Sequence, residues 1–582
     1  MESPSTNPPC PTPVGLLVSQ IGYELDRSKQ ALVRGPVDLL RAGVSFRILN
    51  ARGECVLEKP WMPWGSLWGS YWWRGDFSEL NAAGEYTLDA GPSLKTETIE
   101  IGPNLLWERT HLWVGIEQAE RRARLAMNGV GWQDCGAQWQ EANSHAAYIL
   151  GFCDLLERAS VHLSDDHAHR AVLQIINGCD YLGLLQDHAD SIGLGLGAVS
   201  HQKPRFAETC LHSDVAKAAA AWSRTARLLP GTFGQKRLEY TRRAQIALEW
   251  LRRSLPPEYV GFSRANHGAP RDYHPPREWM TRDLLMQLCA MLDLCQLGNT
   301  SYEAEAVALA RRVMARQIPQ SEALDGLYGH FRTFDSTLLT EKAWTHHLDS
   351  GVVGPDAGAH VPHDLSPLIR MCSLWPHHVD APRWRKTVTD FAYGYLLPAC
   401  HSSPFLILPL GHFPKEGILH FAGLWHGMNA AYASIAALAR DFSSFLNNPV
   451  FEDIATGNLQ WIAGLNAGVT AASLAGSHMF SMQVPANSAY PVSMICGIGR
   501  RWAGTWLNVR GAICNGYSAG DQFRFDVEPT IANDGPFMFT DEDWVTHAGA
   551  WLSAISRRAP SSLVQPPSSP ATQSDAAVVQ CN

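Results

Sequence analysis

The chain has 582 residues, 46% hydrophobic and 18% charged, with a net charge of −9. That length exceeds one ordinary core, so two domains, or one large closed barrel with a satellite, are expected. No long basic run is present to meet nucleic acid, and no stretch approaches the roughly 18 consecutive apolar residues that span a bilayer.

The opening residues, MESPSTNPPCPTPVG, carry neither a basic n-region nor an apolar h-region, which gives a cytoplasmic location as the expectation. Residues 14–102 read as a small β-sandwich. GLLVSQIGYE, KQALVRGP, VSFRILNARGECVLE, YWWRGDFSEL and GEYTLDAG are short β-rich runs separated by Gly, Pro and Asn turns. From residue 104 the apolar period changes from 2 to 3.6. In SDVAKAAAAWSRTARLLPG, Val215, Ala219, Trp222, Ala226 and Leu229 recur at helical steps. Ser213 is the expected N-cap, Asp214 suits the first turn, and Pro230-Gly231 ends the helix.

The same grammar recurs through Leu285, Leu288, Leu292 and Cys295, and again through Tyr432, Ile435 and Phe442. Further helices are expected to start near 105, 143, 170, 236, 302, 365, 384, 453 and 542. About a dozen helices with unequal loops, and no fixed repeat, suit a toroid of paired helices over residues 104–558. The Pro/Ser-rich tail, 559–582, reads as disordered.

Thirteen cysteines are scattered without metal-ligand spacing and read as buried reduced thiols. His346, His347 and Asp349, and His360, His363 and Asp364, have spacings that could hold a metal, but loop hydrogen bonding or sugar contacts are the simpler reading. No metal and no cofactor are expected. Gly193 to Gly197 lack a following Lys-Ser/Thr, which excludes a phosphate cradle of that kind. The 21 tryptophans suit both cores and sugar faces. Trp132 and Trp139 bracket the lone acid Asp134 in GWQDCGAQWQ, and Trp425 and His426 sit in GLWHGMN before a helix. These four are candidate sugar contacts.

These strings, in this order, resemble glycoside hydrolase family 9, in the subgroup with an N-terminal immunoglobulin-like domain. LLVSQIGYELDRSKQALV resembles that domain's opening strand and WWRGDFSELNAAGEYTLDAG its later strands. GWQDCGAQWQ falls where the family has Gly-Gly-Trp-x-Asp-Ala-Gly-Asp-Tyr, and HSDVAKAAAAWSRTARLL resembles its Ser-Asp-x-Ala helix. GNLQWIAGLNAGVTAAS resembles the helix leading to its Gly-x-Asn-Pro turn, and FTDEDWVTHAGAWLSAI falls where it has Asn-Glu-x5-Asn-Ala.

The resemblance implies an (α/α)6 barrel, a carbohydrate substrate, and inverting hydrolysis by two carboxyls with room for water between them. Glu542 takes the position of the general acid. Asp134 matches the first acid of the base motif, and Ala137 stands where the second belongs. The water is therefore expected to be activated by Asp134, or by a neighbour such as Glu141. Asn466 is kept but Ala467 replaces the proline of the turn. The family's Pro-x-x-x-His-His-Arg segment is absent; His478, Arg500 or Arg501 stand nearby, and Arg500 is a candidate substrate contact. A silent carbohydrate-binding relative and a polysaccharide lyase on the same barrel are the rival readings.

Overall fold

A computed structural model describes residues 14–134, 140–204, 206–256, 277–332, 334–335, 364–409, 411–413, 417–421, 428–466, 493–500, 509–518, 538–540 and 543–557. The first hundred residues alternate inward and outward, as at β4, where Phe46 and Ile48 are buried and Arg47 is exposed. They form β1 (Gly15–Leu17), β2 (Tyr23–Glu24), β3 (Gln30–Gly35), β4 (Ser45–Leu49), β5 (Cys55–Pro60), β6 (Met62–Leu67), β7 (Ser70–Asp76), β8 (Gly84–Asp89) and β9 (Glu97–Gly102). Two sheets, ordered β1-β3-β7-β6 and β2-β9-β8-β4-β5, enclose Val33, Phe46, Ile48, Trp73, Leu88 and Ile99. Pairing is antiparallel except between β2 and β9.

The helices are α1 (Leu105–Leu112), α2 (Gln118–Arg124), α3 (Ala142–Ala159), α4 (Asp165–Ser191), α5 (His212–Leu228), α6 (Gly234–Arg253), α7 (Thr281–Gln296) and α8 (Glu303–Ala315). They continue as α9 (Ser366–Leu374), α10 (Ala381–Phe391), α11 (Leu397–Cys400), α12 (Asn429–Leu446), α13 (Val450–Ile462) and α14 (Val545–Ser556). A π-helical turn, Trp113–Glu117, joins α1 to α2. α3, α5, α7, α9, α12 and α14 each pack on the next, and α14 returns to α3, closing a ring of six. α4, α6, α8, α10 and α13 pack outside their ring partners, and the segment from α1 to the π turn packs outside α14. This is the (α/α)6 barrel.

Ring helices are covered on several sides, so α5 buries Ala218, Ala220 and Ala221 as well as the predicted stripe. Ser213 does not cap it. The N-cap is Leu211, two residues earlier, and Ser213 Oγ donates to Asp283 Oδ2 of α7 at 2.9 Å. Side chains near the start of a ring helix face neighbouring helices, and that competes with local capping.

The sandwich docks on the barrel through adjacent indoles that alternate across β7. Trp73 enters the sandwich core while Trp72 joins the barrel core. Trp68, in the β6–β7 turn, lies against Phe405, His420, Phe421 and Trp461. The ring closes where α3 meets α14 backbone to backbone. A Cβ on Gly151 would stand 2.4 Å from Gly549 O, and one on Gly549 would stand 2.4 Å from Ala147 O. Gly549→Ala is expected to part these helices and cost about 1–3 kcal/mol, read as a lower urea midpoint. An unchanged midpoint would show that the seam tolerates a methyl group.

Candidate active site

The GWQD loop is pinned by the helix that follows it. His145 Nε2 accepts from the Trp132 N–H at 2.9 Å, and its Nδ1–H donates to Glu141 O at 2.8 Å. Burial pushes His145 down to a pKa of about 4, so the ring stays neutral and serves both bonds. Gly131 is required beside it. Its φ is +77°, and a Cβ would lie 2.7 Å from both His145 and Tyr181.

Trp132 corrects the expectation of a sugar contact. It is fully buried, with its ring against His145 and Tyr148 and its indole N–H on Gln174 Oε1 at 3.0 Å. It is a core peg that fixes the loop. Arg500, the candidate substrate contact, is exposed at the end of the segment 493–500. Its main-chain N–H donates to Gln20 O at 2.9 Å and its guanidinium reaches Ser19 O at 3.4 Å, which ties this segment to the sandwich. Trp139, Trp425, His426 and Glu542 lie outside the described residues, as do Ala137, Ala467, His478 and Arg501.

Asp134 is 1% exposed. Its Oδ1 accepts from Val545 N–H at 3.2 Å, at the first residue of α14, and Glu141 N–H points at its Oδ2 at 3.4 Å. A helix N-terminus favours the anion. Burial first, and then the neighbouring Glu141 carboxylate, nevertheless raise the Asp134 carboxyl to a pKa of about 7.

One buried guanidinium, which reads in the sequence as part of the basic run ERRAR, joins this loop to the last helix. Arg122 donates to Gln133 O at 3.1 Å and Asp134 O at 2.7 Å. It also donates to Asp543 O at 2.9 Å and Asp543 Oδ2 at 2.7 Å. Gln118, four residues earlier, accepts from its Nε at 3.0 Å.

Beside Asp134, Glu141 stands at the start of α3 with its side chain 12% exposed, its Oε1 3.7 Å from His201 Nε2. His201 Nδ1 lies 2.8 Å from Asp214 Oδ2. Burial would lower the imidazole pKa, but Asp214 and Glu141 outweigh it and hold it at about 10. The ring is therefore a cation at neutral pH, fixed between two carboxylates. Glu141 was visible in the sequence as an acid near Asp134; nothing local marked His201.

The opposite mouth of the barrel has other chemistry. A cavity of about 570 Å³ is lined by the C-terminal parts of α3, α5, α7, α12 and α14. There Arg227 and Arg370 share Asp293, each at 2.7 Å, and Arg557 bridges Asp154 at 2.7 Å and Asp441 at 2.9 Å. These guanidiniums are committed to carboxylates. Among the described residues no group of three His, Cys, Asp or Glu is placed to hold a metal ion, and no helix is long and apolar enough to cross a membrane. Of the two His-rich clusters only Asp364 is described, and it accepts from Ser366 N–H at 3.0 Å as a turn acid.

Arg122→Met leaves Asp543 buried without its cation, with an expected loss of about 3–5 kcal/mol. Adding Asp543→Leu should recover most of it in a denaturation cycle; additive losses would argue against direct coupling. The raised pKa of His201 adds stability that is complete below its unfolded value of about 6.5 and is lost as pH rises through about 10. The melting-temperature gap between wild type and His201→Gln should therefore be widest near pH 6 and shrink toward pH 10. A gap constant across that range would contradict the imidazolium.

Residues 14–93 match the family described as the cellulase N-terminal ig-like domain. No curated protein matches the sequence significantly. A metagenome-derived glycoside hydrolase family 9 endoglucanase is similar in structure at 17% identity and TM-score 0.59, covering 93% of this chain and 98% of its own. A Bacteroides ovatus GH9 protein is similar at 14% identity and TM-score 0.58, with the same coverage. A thermostable endoglucanase variant from Alicyclobacillus acidocaldarius is similar at 15% identity and TM-score 0.57, covering 94% and 99%. The chain thus joins a cellulase-type immunoglobulin-like domain to an (α/α)6 barrel, the fold of the family 9 glycoside hydrolases.

Proposed function

We propose that the protein is a glycoside hydrolase that cleaves a β-linked glucan or oligosaccharide with inversion at the anomeric carbon. The observation that carries this reading is the joining of two distant motifs. Asp134 meets the N-terminus of α14, and Arg122 holds both Asp134 and Asp543, the residue that follows Glu542 in sequence. Inversion needs an ionised carboxylate on the water side and a protonated one on the leaving-group side. Glu542 is assigned the acid role, and Asp134 with its neighbour Glu141 the water side. That structures sharing this fold are endoglucanases supports a glucan substrate.

The rival reading, a silent carbohydrate-binding relative, draws on Ala137 at the second acid position and on the burial of Asp134. Incubation with cello-oligosaccharides and soluble β-glucans separates the two. Hydrolysis is expected, with α-configured product by NMR, and Asp134→Asn and Glu542→Gln should each lower kcat by about 10²–10⁴-fold. Turnover that survives both substitutions defeats the two-carboxyl assignment; binding without product selects the silent relative.

A further inference from the structure

Resting on the hydrolase reading above, the geometry points to Glu141 as the group that takes the proton from the attacking water, with Asp134 as a positioning residue. The chain has alanine at 137, so an acid for the water side must come from elsewhere along the loop. Asp134 is poorly placed to meet water. It is 1% exposed, Val545 N–H donates to one carboxyl oxygen, and Glu141 N–H points at the other. Those contacts suit a group that fixes where α3 and α14 begin.

Glu141 is the next carboxylate along the chain, and it differs in the ways a base requires. Its side chain is 12% exposed, so water has access. Its main chain is held at both ends of the residue, with N–H toward Asp134 and carbonyl on His145, so its position relative to the GWQD loop is fixed. Its Oε1 lies 3.7 Å from His201 Nε2 and its Oε2 lies 3.5 Å from Asn143 Nδ2. His201, itself paired with Asp214 at 2.8 Å, thus orients the Glu141 carboxyl beside Asp134. Glutamate also carries one methylene more than aspartate, extending its reach from the start of α3.

In the resulting step, a water O–H proton passes to a Glu141 oxygen as the water oxygen bonds to the anomeric carbon. The glycosidic C–O bond breaks with its electron pair on the leaving oxygen, which is protonated by the acid of the proposed mechanism. The plainer role for Glu141, an ion-pair partner that holds His201, predicts a different response to a small external nucleophile.

The test uses the full chain with a soluble glucan. Glu141→Ala should lower kcat by about 10²–10⁴-fold with little change in KM. Millimolar-to-molar azide should then restore turnover, yielding the α-glycosyl azide because the cavity left by the carboxylate admits the anion. Asp134→Ala should not be rescued. Wild-type kcat in Glu141→Ala, or a loss in Glu141→Ala that azide leaves unchanged, overturns the assignment while hydrolysis stands. Azide rescue of Asp134→Ala in place of Glu141→Ala makes Asp134 the base, again leaving hydrolysis intact. A wild-type protein without turnover on any glucan removes the hydrolase reading and this assignment with it.

Discussion

Arg122 sets the relation between the two ends of the barrel sequence. Most of the ring is held by buried Ala, Leu and Ile side chains, whose attraction is strong but non-directional. Such packing closes a toroid without specifying to an ångström how the loop before α3 meets the start of α14. A guanidinium with fixed donor directions does specify it, because its bonds to Gln133 O, Asp134 O and Asp543 can all form in one register only. Removing that cation from water is costly, and the bonds at both nitrogens, together with Gln118, offset the cost. The π turn before α2 takes part in the same scheme. Tyr148 Oη lies 2.7 Å from both the Val114 and Gly115 carbonyls of that turn, its one proton shared between them. Gln118 Nε2 also reaches Val114 O, and its amide oxygen orients Arg122.

A second order follows from the direction of the ring helices. Glu141, Asp214, Asp283 and Val545 stand at the N-terminal ends of α3, α5, α7 and α14, and their contacts converge on one mouth. At the other mouth the last turns of α3 and α5 carry Arg158 and Arg227, and Arg557 follows α14. Helix dipoles favour this division, anions at the starts and cations at the ends. The acids at the second mouth, Asp154, Glu157, Asp293 and Asp441, neutralise those guanidiniums into a charged floor. The first mouth gathers Asp134, Glu141, Asp214 and Asp283 at or beside helix starts, and proton transfer is proposed there.

How much of this was legible in the sequence depends on whether the signal was periodic or solitary. The period-2 runs before residue 102 and the 3.6-residue stripes after it are set by which face of an element meets a core, and they became the sandwich and the ring helices. β6, with Pro63 and Gly65 interrupting its pattern, was not picked out as a separate strand and is stabilised by pairing with β7. Solitary residues misled where the third dimension decides. Trp132 lies in a Gly-containing loop, which suggests exposure, yet the close approach of Gly178 on α4 makes the slot that buries it. Arg122 and His201 carry no local signal at all, because their partners lie 421 and 13 residues away.

The sandwich belongs to the same mechanical chain as the site. Gln20 gives its N–H to Ala463 O at 3.0 Å, just after α13, and accepts from Arg500 N–H at 2.9 Å. Gln460 reaches back to Gly22 O at 2.9 Å, so one turn of the sandwich holds both α13 and the segment 493–500. That segment pairs onward, with Cys496 N–H on Ala512 O at 2.7 Å. Beyond it, Cys514 O accepts from Asn429 Nδ2 at 2.8 Å, and Asn515 Oδ1 meets the His547 ring on α14. Burial pushes His547 down to a pKa of about 3, so that contact is between neutral groups and does not vary with pH near neutrality. The helix receiving Asp134 at its first residue is thus held from two sides, by Arg122 through Asp543 and by the sandwich through Asn515. The sandwich thereby helps fix the angle at which α14 presents its N-terminus.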